Sequence, residues 1–311
     1  MSKNSPKYAW MNGKIIPWKD ATVHVFSDVF KYGSNVFEGV RAYSSPNKNQ
    51  LYLFRNNEHM TRLFNESMKI LRMESPWNAE DITKGMIDLL RANDFHDDLH
   101  MRPTVYFGMG KAHAFHPDNI KTGCVITAIE RPNKPKTLWE GINACVSSWR
   151  RIGDEMMPPR VKAGANYLNG RYAFMEARIN GFHTPIILNE HGKVSEGPGA
   201  CIMLVRKGQV VTPPVTAGIL ESVTRTTLMQ LFRDEMSMEV VERDIDRTEL
   251  YVSDEVFFCG TGAEILPVIS IDNYAVGTGE PGTIVKTIQN IYFNIARGEN
   301  HKYDEWLTPV Y

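Results

Sequence analysis

Six consecutive residues, RPNKPK (Arg131–Lys136), constrain the fold of this chain more than any other stretch. Proline cannot donate to a strand ladder, and three charges in six residues resist burial, so no central strand runs through them. The segment separates two kinds of pattern. Before it, helix and strand are mixed. TVHVF (Thr22–Phe26) and QLYLF (Gln50–Phe54) alternate in the strand manner. A helix capped at Asn56 or Asn57 sets Met60, Leu63, Phe64, Met68 and Leu71 on one face, and a second, capped near Asn78, turns Ile82, Met86, Leu89 and Leu90 inward. MRPTVYFGM and CVITAIE read as strands. After the break strands dominate, in INACVSSW, PIILNE, CIMLVRKGQVV and DEVFFCG. Helices are expected over 167–180, 223–236 and 282–297, the last stopped by Gly298. Regular β–α alternation is missing. The fold class predicted is therefore α/β (α+β) in two domains: a small α/β domain over residues 1–130, an interdomain loop over 131–138 and a larger domain over 139–311.

Composition narrows the function classes. Hydrophobic residues at 42% and charged residues at 23% are those of a soluble globular protein. A formal net charge of −1 gives no global pull toward nucleic acid or an anionic membrane. No run of 18 apolar residues occurs, and the N-terminal stretch lacks the apolar core of a secretion signal, so a cytoplasmic location is expected. Cys124, Cys145, Cys201 and Cys259 are widely spaced in strand-like runs. They match neither a metal-binding pattern nor a disulfide framework, so buried thiols and no metal site are expected.

Lys162 stands in PRVKAGANYLNG beside Ala163, Gly164 and Ala165, which offer an ammonium no opposite charge. Alone, such a lysine reads as an ordinary surface residue. Three other stretches change that reading. SEGPG (Ser195–Gly199) puts Glu196 in a turn of small residues. LESVTRTTLMQLF opens a helix at Val223 and Thr224, whose N–H groups and hydroxyl can hold an anion. CGTGAE (Cys259–Glu264) follows an apolar strand with glycines that let backbone approach a ligand. Together, a lysine in small surroundings, a turn carboxylate and two phosphate-suited loops are what pyridoxal phosphate chemistry asks for. The lysine forms a Schiff base with the aldehyde. The carboxylate pairs with the pyridine nitrogen, while backbone amides and an arginine hold the phosphate. No triad spacing, HExxH motif or Walker loop competes, and GTGEPG (Gly277–Gly282) lacks the lysine and preceding strand of a nucleotide loop.

YGSNVFEGVRAY (Tyr32–Tyr43), FRNNEHMTRL (Phe54–Leu63), VKAGANYL (Val161–Leu168), VSEGPG (Val194–Gly199) and DEVFFCGTGAEILPV (Asp254–Val268) resemble the branched-chain aminotransferases, pyridoxal phosphate enzymes of fold type IV. The resemblance runs from about Trp10 to Trp306, in order and with few gaps. It implies a larger domain of pseudo-barrel form and a homodimer. It makes Lys162 the Schiff-base lysine, Glu196 the partner of the pyridine nitrogen and Tyr167 the donor to the cofactor's phenolic oxygen. Arg62, with Val223, Thr224 and Thr261, would hold the phosphate. Phe37, Gly39, Arg41, His100 and Arg102 would define the substrate pocket, with Tyr32 reaching it from the partner subunit. The backbone at Thr261 and Gly262 would receive the substrate carboxylate. The activity implied is transfer of an amino group from an L-amino acid, of branched-chain type, to 2-oxoglutarate by a ping-pong route.

Three departures bear on substrate. His100 stands where the family usually has a tyrosine, Glu130 and Arg131 replace apolar residues of the interdomain segment, and KAHAFHP brings in His113 and His116. They leave open a related enzyme of the same fold type acting on a more polar or specialised amino acid or amine. An aminodeoxychorismate lyase, a D-amino-acid aminotransferase and an (R)-amine transaminase are further alternatives. A binding protein that has lost catalysis is disfavoured by the presence of both Lys162 and Glu196.

Overall fold

The structure, a computed structural model, describes residues 6–110, 120–131 and 134–311. The chain forms two units, and they are not its consecutive halves. One comprises Met1–Asn133, Val161–Ala165 and Ile295–Tyr311, the other Lys134–Arg160 and Asn166–Asn294. Residues 139–311, expected as one domain, thus contribute to both. Burial gives the reason: Val161, Ala163 and Val310 are part of the first unit's core.

The first unit is built on an antiparallel sheet. Its strands are β1 (Tyr8–Met11), β2 (Lys14–Pro17), β3 (Asn35–Phe37), β4 (Val40–Ser45), β5 (Gln50–Phe54), β6 (Leu99–Gly110) and β7 (Ile120–Glu130), joined by the C-terminal strand Leu307–Pro309. The order is Leu307–Pro309, β5, β4, β6, β7, β1, β2, with β3 also paired to β6. Helices α1 (Asp28–Tyr32), α2 (Asn56–Thr61) and α3 (Ala79–Asn93) complete it. Asn78 and Asp81 form a reciprocal cap that starts α3. Its apolar face buries Ile82, Met86, Leu89 and Leu90 as the periodicity predicts. Gly85 permits the close approach, since a Cβ there would lie 2.8 Å from Nε1 of Trp10.

Two expectations fail locally. Thr22–Phe26 is not a strand but a run of turns, in which Thr22 N–H donates to the Asp20 carbonyl and Ser27 N–H to the His24 carbonyl. All five side chains are exposed, so the alternation has no buried face to build on. The first helix is capped by neither asparagine. It is preceded by Arg55 at φ +54°, held there by stacking 4.2 Å over the Trp306 ring and by an ion pair with Glu58 at 2.9 Å. That helix then widens into a π-helix over Arg62–Met68.

The second unit carries a mixed sheet of β8 (Ile142–Arg150), β9 (Thr184–Leu188), β10 (Val194–Glu196), β11 (Cys201–Arg206), β12 (Gln209–Thr212), β13 (Val240–Glu242), β14 (Glu255–Gly260), β15 (Glu264–Ile271) and β16 (Tyr274–Ala275). The order is β10, β9, β8, β15, β14, β11, β12, β13, with β16 on β15. Helices are α4 (Thr137–Glu140), α5 (Tyr167–Ile179), α6 (Val223–Met236), α7 (Arg247–Leu250) and α8 (Thr283–Ala296). Parallel neighbours need a crossover, and the helices expected from periodicity supply it. α5 lies between the parallel strands β8 and β9, and α6 between β12 and β13. Ile202, Leu204, Phe258 and Val268 are among the residues of the core. Among the described residues no helix is long and apolar enough to cross a membrane, and no group of side chains could hold a metal ion.

Candidate active site

In the first unit, Lys162 is fixed through its backbone from both sides. Its carbonyl accepts from Phe37 N–H of β3 at 3.0 Å, and its own N–H donates to Ser67 Oγ of the π-helix at 3.1 Å. Val36 bridges to Ala163, and Gly164 N–H donates to the Asn35 carbonyl. The small residues around the lysine now have a cause. A Cβ on Gly164 would lie 2.7 Å from the Asn35 side chain, so the chain runs against β3 only with glycine there. Lys162 Nζ sits 5.2 Å from the Phe37 ring centroid, and the Arg102 guanidinium lies 3.6 Å from the same ring.

Arg62, the predicted phosphate holder, opens the π-helix and is buried. Its Nε and Nη2 donate to the two carboxylate oxygens of Glu38, each at 2.7 Å, and His59 Nδ1 lies 2.7 Å from Glu38 Oε2. Sequence reading missed Glu38, His59 and Ser67. A carboxylate inside the otherwise apolar and small run VFEG was the available signal. Burial alone would raise the Glu38 carboxyl, but the Arg62 charge and the His59 contact outweigh it and hold the group well below the usual carboxylate range. Burial lowers His59 against the pull of Glu38, with Arg62 and Lys162 adding to the lowering.

Arg41 of β4 and His100 of β6 face each other in register. Burial first, then the charges of Arg41, Arg102, Lys162 and His59, push the His100 imidazole down to about 4. It is a neutral donor–acceptor among cations at neutral pH. Gly39 is buried between β3 and β4. Tyr32 ends α1, 52% exposed, with Lys31 Nζ 5.1 Å from its ring. Glu130 ends β7 partly exposed, its carboxyl raised by burial and by Asp97, and Arg131 is exposed. His113 and His116 lie outside the described residues.

The second unit gathers the remaining predicted residues. Glu196 is the last residue of β10 and is buried. Its Oε1 lies 2.7 Å from Arg151 Nη2, and its Oε2 accepts from Leu220 N–H at 3.2 Å and from Cys201 Sγ at 3.7 Å. The turn after Glu196 meets α5: a Cβ on Gly170 would lie 2.7 Å from the Pro198 carbonyl oxygen, and one on Gly199 would lie 3.4 Å from the Tyr167 ring. Tyr167 and Glu196 are thereby brought to one turn. Gly260, just before Thr261 and Gly262, abuts Ala200 of that turn. Gly262 is exposed, with open space where a side chain would stand.

Val223 and Thr224 begin α6. Ser222 Oγ caps the helix by accepting from Arg225 N–H at 3.3 Å, which leaves the first two N–H groups with no intrahelical acceptor. The partial positive charge of a helix N-terminus favours an anion there. Arg225 itself is committed elsewhere, to Glu242, Thr212 Oγ1 and the Pro213 carbonyl. Arg151 was also missed by sequence reading. It follows SSWR as one more arginine of a strand end, with nothing local to mark it.

Comparison with known proteins places the chain in one family. The family model described as amino-transferase class IV matches residues 35–271. A probable branched-chain-amino-acid aminotransferase of Aquifex aeolicus is 39% identical over 308 residues, covering 99% of this chain and 98% of the relative. The crystal structure of a branched-chain amino acid aminotransferase from Thermobaculum terrenum in its PLP form aligns with a TM-score of 0.92 at 41% identity, covering 99% and 100% of the two chains. The Escherichia coli branched-chain amino acid aminotransferase aligns with a TM-score of 0.94 at 36% identity over the same shares. A further branched-chain amino acid aminotransferase, crystallised in complex with N-(5'-phosphopyridoxyl)-L-glutamate, aligns with a TM-score of 0.93 at 33% identity.

Proposed function

The chain belongs to the class IV aminotransferases of branched-chain type, pyridoxal phosphate enzymes of fold type IV, and from that premise we propose that it moves the amino group of an L-amino acid, branched-chain donors first, to 2-oxoglutarate by a ping-pong route. The observation that carries the reading is Lys162, a lysine whose backbone is bonded to Phe37 and Ser67 and whose Nζ lies 5.2 Å from the Phe37 ring. The residues present suit the cofactor: a buried arginine, a helix start whose first N–H groups have no intrahelical acceptor and a buried carboxylate are the donors and acceptor its charges require.

When bound, pyridoxal phosphate supplies an aldehyde that bonds amines and a ring that takes up negative charge. Lys162 Nζ holds the aldehyde end and moves the proton of the substrate α-carbon, a task worth on the order of 10²–10⁴-fold. Glu196 would pair with the ring nitrogen and Tyr167 would donate to the phenolic oxygen. Arg62 holds the phosphate, oriented for it by Glu38, together with the α6 N-terminus at Val223 and Thr224 and with Thr261. Phe37, Gly39, Arg41, His100 and Arg102 shape the substrate pocket, Tyr32 enters it from a partner subunit, and Thr261 and Gly262 receive the substrate carboxylate. Arg41 and Arg102 suit an acidic co-substrate, and one relative is seen with a phosphopyridoxyl-glutamate adduct.

A homodimer fits the segment that precedes Tyr32, where Val25, Phe26 and Phe30 stand 59–71% exposed. Light scattering that gives a monomer mass would end that part of the proposal. The neutral His100 among cations favours a second reading, a preference for more polar donors. A panel of leucine, isoleucine, valine and polar amino acids in both enantiomers, with 2-oxoglutarate or pyruvate, separates the two. Lys162→Ala should abolish both turnover and borohydride labelling by the cofactor; turnover in that variant would refute the proposal.

A further inference from the structure

We infer that Arg151 is a positioning residue for Glu196, setting both the direction of its carboxylate and its charge. The inference rests on the cofactor reading above. Arg151 is itself held at three points: its N–H donates to the Leu188 carbonyl at 2.9 Å, its Nε donates to the Gly218 carbonyl at 3.2 Å, and its Nη2 meets Glu196 Oε1 at 2.7 Å. It is 7% exposed and Glu196 is 4% exposed, so little water screens the pair. Leu220 N–H donates to the other oxygen, with Cys201 Sγ 3.7 Å from it and 3.4 Å from the Leu220 carbonyl, so the two carboxylate oxygens have separate partners. A guanidinium fixed in this way favours the charged form of its partner. A carboxylate held in its charged form leaves the proton on a pyridine nitrogen, whereas one with a raised proton affinity would take it.

Three strands bring charged or titratable groups to Glu196. Arg151 follows β8, Cys201 begins β11, and Cys259 stands opposite Cys201 on β14. Burial, eased by Arg225 and reinforced by Glu196, pushes the Cys259 thiol up to about 12, so it does not titrate near neutrality. Arg151 is bonded to Glu196 directly, and its removal has a sign that can be worked out. Without it, the buried carboxyl binds its proton more tightly than in the unfolded chain, where the value is about 4.3. Stability is then lost as pH rises from that value through the raised folded one.

The test uses the full chain with and without pyridoxal phosphate. Measured as the difference from wild type at each pH, the Arg151→Met apoprotein should lose several degrees more at about pH 8 than at about pH 5, a slope that the shared histidines do not contribute to. The double variant Arg151→Met/Glu196→Gln should lose that slope. Holoenzyme of Arg151→Met should show kcat reduced about ten- to a hundredfold, with KM for the amino donor nearly unchanged, as for groups one step removed from a cofactor. Arg151→Lys, which keeps the charge without the forked anchorage, should melt without the slope and recover part of kcat. It also serves if the methionine variant does not fold. A melting profile in Arg151→Met that parallels wild type, a difference slope that persists in the double variant, or a wild-type kcat would each overturn the inference. The apoprotein arm needs no cofactor, so its failure is separable from a failure of the cofactor reading, which the absence of labelling at Lys162 in wild type would report.

Discussion

Glu38→Gln tests how the first unit holds its cationic site. In the native chain the carboxylate accepts two guanidinium bonds from Arg62 and one contact from His59, at no exposure to water. A glutamine keeps the shape but offers one oxygen, so it cannot accept both guanidinium bonds from Arg62 at separate oxygens, and its charge no longer balances that of Arg62. Breaking a buried pair and stranding one charge costs about 3–5 kcal/mol. For a unit of roughly 150 residues, ~2–4 °C per kcal/mol lowers the melting midpoint by about 6–20 °C. Scanning calorimetry on the apoprotein at neutral pH reads this directly. The Glu38 carboxyl lies below its unfolded value, so its stabilisation is present above about pH 4.3 and fades as pH falls below it. The gap between variant and wild type should therefore narrow in acid. A double variant Glu38→Gln/Arg62→Met strands no charge and should recover much of the loss. A single variant as stable as wild type, or a double variant no better than the single, would refute the reasoning.

Glu196→Gln should retain cofactor but turn over slowly, because a neutral amide does not favour a protonated ring nitrogen; near-normal kcat would remove Glu196 from that role. His100 resists protonation in the fold until about pH 4, whereas unfolded histidine takes a proton near 6.5. Stability should therefore fall as pH drops between those values, and His100→Gln should flatten that limb in pH-dependent melting curves.

Much of the proposed site could be named from the sequence because its signals are local. Lys162 among small neighbours, Glu196 in its turn and the order of residues at the start of α6 point to one chemistry only in combination. The helices at 79–93, 167–179 and 223–236 follow from periodicity and caps. What escaped was set by distant partners. Arg151 gains meaning only where Gly218 and Glu196 meet it, 45 or more residues along the chain. Glu38 needs Arg62, and the place of Val161–Ala165 in the first unit depends on β3. Alternation misled at Thr22–Phe26 because a pattern of apolar residues does not say whether anything covers them.

The π-helix at Arg62–Met68 has a consequence for how this chain can vary. Bonding each residue to the one five along stacks Arg62 above Ser67, so one grips Glu38 while the other grips Lys162. In an ordinary α-helix, with about 100° per residue, two positions five apart point roughly 140° away from each other. Rewinding the same residues as an ordinary α-helix would therefore swing one grip off its target, whereas losing one residue between them would leave the two about 40° apart and still on one face. What the wide turn preserves is a shared face for two grips set five residues apart, so the spacing and the winding of this segment can change only together.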